Sequence, residues 1–135
     1  VAATATLAVS ATAQVRQIPS TGCGNVYPTT TGSPAIGQGF GIIAGPCRTV
    51  AAQPVIFFGA SVNTLTLPVP PACTSGCVMA TRPLIVLQQS AFRALIPNDR
   101  SLIGVKFVAQ TGCVEAIRPA FCITLHGGLA VQITA

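Results

Sequence analysis

Apolar residues fall on alternate positions at the start of the chain, VAATATLAVSATAQV. Val1, Ala3, Ala5, Leu7, Val9, Ala11, Ala13 and Val15 take the odd positions, and only Ala2 and Ala8 break the polar even set. Alternation with a period of two suits a strand with one buried face. Further along, the apolar runs are shorter. Residues 39–44, 54–61 (PVIFFGAS), 63–69 (NTLTLPV), 83–88 (PLIVLQ) and 91–96 are predicted strands, punctuated by Pro68, Pro70 and Pro71. Residues 102–110 alternate again, placing Ile103, Val105, Phe107 and Ala109 on one face and Lys106 and Gln110 on the other. A closing hairpin is predicted from residues 121–125 and 129–134, with its turn at His126-Gly127-Gly128. Residues 16–34, rich in Gly, Thr, Ser and Pro, are predicted to be mostly loop. No helical period is sustained beyond about two turns. The expected fold is all-β, a two-sheet β-sandwich of about eight strands with an extended N-terminal strand.

Composition sharpens this picture. The 135 residues suit one domain, here 16–135, preceded by an N-terminal arm over 1–15. Seven basic residues stand against two acidic ones, although half the chain is hydrophobic. Soluble domains carry about a quarter charged residues, so the surface here is unusually neutral and resists self-association weakly. The net charge of +5 comes from basic residues scattered singly, with almost no aromatic candidates for base stacking. A nucleic-acid partner is therefore not expected. The most apolar run, 55–62, is too short to span a membrane.

The six cysteines are Cys23, Cys47, Cys73, Cys77, Cys113 and Cys122. An even count without CxxC spacing predicts a disulfide framework and an oxidising, extracellular or cell-surface location. With a single histidine, metal binding is not expected, nor any cofactor. Cys113 and Cys122 bracket a short excursion and are the expected pair. The other four then join either as Cys23–Cys47 with Cys73–Cys77 or as Cys23–Cys77 with Cys47–Cys73, among three pairings.

Catalytic chemistry finds little support. Asp99 lies in PNDRS, where an Asx turn is its expected role. Glu115 precedes Arg118 by three residues and suits a surface ion pair. His126 at a hairpin tip has no acid nearby in sequence to orient it. GQGFG at residues 37–41 lacks the lysine and helix of a phosphate loop, and no GxSxG elbow occurs. The chain is not expected to be an enzyme.

Several segments (STGCG, SPAIGQGF, FFGAS, LPVP, GCVM, IPNDRSLIGVKFVAQ and GLAVQIT) resemble secreted β-rich domains of planctomycete-type bacteria. Residues 21–135 carry the resemblance, and 96–110 are its most specific part. It implies a secreted β-sandwich and no catalytic residues. Cys113, Cys122 and the N-terminal stretch depart from that pattern.

Three readings remain for the N-terminal stretch. Ala11-Thr12-Ala13 fits a signal-peptide cleavage site, but Thr4, Thr6 and Ser10 interrupt any apolar core. An intramolecular first strand is the second reading. As one strand the stretch spans roughly 50 Å, well beyond an ordinary strand. The third reading is an arm that adds a strand to the next molecule, an arrangement similar in architecture to donor-strand pili. It makes the chain the subunit of an extracellular homopolymer, with Val1, Ala3, Ala5, Leu7, Val9, Ala11 and Ala13 as interface residues. The alternative is a monomeric cell-surface module that binds a carbohydrate or cell-wall polymer.

Overall fold

The computed structural model describes residues 14–48, 51–117 and 120–135. The proposed interface residues Val1, Ala3, Ala5, Leu7, Val9, Ala11 and Ala13 lie outside the described residues. Among the described residues ten strands follow in order: β1 (Val15–Ile18), β2 (Thr29–Gly32), β3 (Gly39–Ile43), β4 (Gln53–Gly59) and β5 (Leu65–Thr66). Then come β6 (Val78–Met79), β7 (Ile85–Leu87), β8 (Ala91–Leu95), β9 (Lys106–Ile117) and β10 (Ala120–Gln132). Among the described residues the helical structure is one 3-10 turn, Arg100–Leu102, and no helix is long and apolar enough to cross a membrane. Val15 pairs with Val131, so the sandwich begins with the last residue of the alternating stretch.

The expected all-β sandwich is observed. A five-stranded antiparallel sheet runs β1-β10-β9-β4-β7, and a three-stranded sheet runs β2-β3-β8. Between them Phe40 and Ile42 of β3 pack against Ala109, Leu129 and Val131 of β9 and β10. The other face of the large sheet is covered by the short β5-β6 ribbon. There Val55, Phe57 and Leu125 pack against Ala72, Cys77 and Met79. A central sheet covered on both faces loses its alternation, and Val108 through Cys113 are all buried.

That double cover corrects several expectations. Ile103 and Val105 are exposed and precede β9, and the supposedly outward Gln110 is fully buried. Its Oε1 accepts from the Ala80 N–H at 2.8 Å, and its Nε2 donates to the carbonyls of His126 at 2.8 Å and Val78 at 3.1 Å. His126-Gly127-Gly128 is no hairpin turn. It is an irregularity inside β10, where the β9 register shifts between Leu125 and Gly128. The two glycines answer to packing: a Cβ on Gly127 would overlap the Tyr27 ring, and one on Gly128 would overlap Ala80. The hairpin that does form joins β9 to β10. Residues 16–34 are also less loop-like than expected, because β2 and all but the first residue of β1 lie within them.

Candidate functional site

β7 and β8 follow one another in the chain, separated by Gln88, Gln89 and Ser90, yet belong to different sheets. Among the described residues β7 pairs only with β4, and β8 pairs only with β3, so each is the edge of its sheet there. Between them a groove of about 500 Å³ opens to solvent, lined by Phe58, Gly59, Ala60, Leu84, Ile85, Leu87, Phe92 and Phe107. Its floor is aromatic, with Phe58 edge-on to Phe92 at 5.1 Å between ring centroids and tilted against Phe107 at 6.2 Å. Leu84 and Ile85 stand at its margin, 71% and 54% exposed. No charged side chain lines it. Free edges beside exposed apolar surface favour strand addition.

The backbone of β8 carries its own pattern. The Ala44 N–H donates to the Ser90 carbonyl at 2.8 Å, and the Ile96 N–H donates to the Gln38 carbonyl at 2.9 Å. Both pairs continue the β3–β8 register, in which Phe92 opposes Ile42 and Ala94 opposes Phe40. Antiparallel ladders alternate bonded and non-bonded pairs. The N–H and C=O groups of Ala91, Arg93 and Leu95 therefore point away from β3, out of the free edge.

The opposite margin of the sandwich has a different character. There β1 and β2 are the sheet edges, and the cleft between them is lined by Gln14, Gln17, Thr29, Thr30 and Ser33 among others. The described chain begins at this margin, where the Gln14 carbonyl accepts from the Gln132 N–H at 2.9 Å.

All six cysteines are joined, as Cys23–Cys77, Cys47–Cys113 and Cys73–Cys122, and none is free. This corrects the expected Cys113–Cys122 pair. Cys113 opposes Thr124 and Cys122 opposes Glu115 across the β9–β10 ladder, which makes the two cysteines diagonal neighbours. Diagonal positions lie about 7–8 Å apart, beyond ordinary disulfide reach. Of the pairings considered, Cys23–Cys77 is present and Cys47–Cys73 is not. Cys73, Cys122 and Glu115 approach one another closely, but both sulfurs are committed to one disulfide and offer no thiolate for a metal.

Asp99 and His126 are both held by hydrogen bonds. Asp99 takes the expected turn role, its exposed Oδ1 accepting from the Ser101 N–H at 3.0 Å and the Ser101 hydroxyl at 2.8 Å. Those bonds hold its carboxyl below the ordinary value. His126 is buried and both ring nitrogens are engaged. Nε2 lies 3.3 Å from the Pro46 carbonyl, which can only accept, so Nε2 carries the proton. Nδ1 accepts from the Thr111 hydroxyl at 2.7 Å. Burial depresses the imidazole below its ordinary value, and the Pro46 contact opposes this. Arg118, the expected partner of Glu115, lies outside the described residues.

No protein family, curated protein or solved structure matches the chain. The resemblance to secreted planctomycete-type domains therefore rests on the quoted residues alone. The groove was not anticipated from sequence. Its signal was PLIVLQ, a run too uniformly apolar for a short strand with one solvent-facing side.

Proposed function

We propose that the protein is a structural subunit of an extracellular, pilus-like filament that polymerises by donor-strand complementation. The N-terminal arm of one copy enters the β7/β8 groove of the next. One observation carries this reading: a chain that begins with an uncharged, period-two stretch also has an uncharged, apolar groove between two free sheet edges. An added strand would satisfy edge backbone groups and cover Leu84 and Ile85 together. The formed disulfides and the resemblance to secreted β-rich domains support an extracellular setting. The reading assigns no catalytic step.

A monomeric polysaccharide-binding module is the second reading. The hydroxyl and amide groups of the β1/β2 cleft favour it, as does the 68% exposed ring of Phe121.

Deleting residues 1–13 tests the first reading, because it removes the arm and leaves the Gln14 bond to Gln132 intact. Full-length protein should form filaments by electron microscopy and the deletion should not. Adding a peptide of residues 1–13 should raise the melting temperature of the deletion with peptide concentration. A full-length protein that stays monomeric at high concentration would overturn the filament reading.

A further inference from the structure

The filament reading leaves open which part of the arm docks and against which edge. β8 offers a free edge of five residues, and β7 one of three. The outward N–H and C=O groups of Ala91, Arg93 and Leu95 give an incoming strand of about five residues its ladder partners, although the Ala91 carbonyl already accepts from the Gln89 Nε2 at 2.7 Å. Phe92 and Ala94, the residues between them, share the face turned toward the groove. In the arm, apolar bulk is concentrated at one place. Ala3, Ala5, Ala11 and Ala13 are small, whereas Leu7 and Val9 are neighbours on the same face. A floor of three phenylalanine rings beside Leu84, Ile85 and Leu87 leaves space that alanine side chains would not fill.

Resting on the filament reading, we infer that residues 5–9 of one copy add to the β8 edge of the next, with Leu7 and Val9 seated over Phe58, Phe92 and Phe107.

The test separates this register from the filament reading itself. Full-length wild type is first imaged for filaments, which decides the reading on its own. An aspartate scan of the full-length chain at Val1, Ala3, Leu7 and Val9 then locates the anchor. Leu7→Asp and Val9→Asp should raise the protein concentration needed for filaments at least 100-fold, and Val1→Asp and Ala3→Asp less than threefold. A second pair of variants tests the edge. Arg93→Pro removes an N–H that points away from β3 and has no partner among the described residues, a loss that an edge strand tolerates. It should abolish filaments without lowering the melting temperature of the monomer, while Arg93→Ala should assemble as wild type. Should Arg93→Pro unfold the subunit, the aspartate scan still decides the register. Wild-type filaments with equal sensitivity at Ala3 and Leu7 would overturn the register and leave the filament reading standing. Normal assembly of Arg93→Pro would overturn the choice of β8.

Discussion

Replacing Ile85 by aspartate separates folding from assembly. Ile85 is 54% exposed, and its neighbour Leu84 is 71% exposed. An aspartate at position 85 remains hydrated in the isolated subunit and forfeits only the half of Ile85 that the subunit covers, a cost of about 1 kcal/mol. That corresponds to a melting shift of about 3–6 °C. Under the filament reading the arm of the next copy covers the same position. Complete burial of an isoleucine contributes about 1.5–3 kcal/mol, and the open half of Ile85 therefore contributes about 1 kcal/mol on docking. Aspartate forfeits that gain and adds an unpaired carboxylate in an apolar groove, for a combined loss of about 3–4 kcal/mol. At about 1.4 kcal/mol per factor of ten, the assembly concentration should rise about 100- to 1,000-fold. Ile85→Ala loses only the buried area and should shift it no more than about tenfold. Pelleting across a concentration series, beside melting curves of the monomeric variants, reads both quantities. Unchanged assembly of Ile85→Asp would refute the groove as acceptor. A melting loss well beyond about 6 °C would refute the reasoning that Ile85 is half free in the subunit.

Gln110→Met keeps the buried volume but leaves the Ala80 N–H and the His126 carbonyl without their partner, and should cost about 3 kcal/mol in chemical denaturation. A loss under about 1 kcal/mol would show that the β6 ribbon is held by other means. Burial holds His126 below its ordinary 6.5, so the unfolded chain takes up the proton first as the pH falls. Stability should be full above pH 6.5 and decline below it, and His126→Gln should flatten that part of the stability–pH curve. Proteolysis without reduction, followed by mass spectrometry, should recover Cys23–Cys77, Cys47–Cys113 and Cys73–Cys122, and a Cys113–Cys122 fragment would contradict the ladder register. Gly127→Ala should destabilise by about 2 kcal/mol, because the Tyr27 ring must leave its place and its hydroxyl its 2.9 Å bond to the Ile18 carbonyl.

Short strands flanked by turn residues were legible from their pattern. β3 and β8 fall inside the segments predicted for them, and β4 begins one residue before its own at Gln53, because apolar runs bounded by Gly and Pro have few other uses. The spine of the fold was less legible for a reason of packing. Covered on both faces, β9 and β10 bury Gln110, Thr111 and His126 alongside Val108 and Leu129, so polarity no longer reports direction. His126-Gly127-Gly128 has the composition of a turn, and only the contacts with Tyr27 and Ala80 explain glycine there. The disulfides failed similarly: nearness in sequence favoured Cys113 with Cys122, whereas ladder register sets them diagonally. Of the proposed joint, the alternating stretch is legible because alternation is local, and it lies outside the described residues. The acceptor is not legible, because it depends on β7 and β8 being edges of different sheets, which three linking residues do not announce.

The placement of the two margins bears on why such an arm would join copies rather than fold back on its own subunit. β1 and β7 are the opposite edges of the five-stranded sheet, four strand spacings apart. At about 4.8 Å per spacing that is about 19 Å, measured perpendicular to the strands. From Gln14 to Leu7 the chain has seven residues, with a fully extended reach of about 25 Å. A subunit using its own arm would spend most of that reach crossing the sheet. It would then have to turn through a right angle and still lay five residues along β8. Under the filament reading the groove of a neighbouring copy is free of that demand, and donor and acceptor occupy opposite margins of each subunit. Contacts between unlike surfaces do not close in pairs, so each joint leaves one arm and one groove free for the next. A surface with few charges removes much of the repulsion that would oppose such growth.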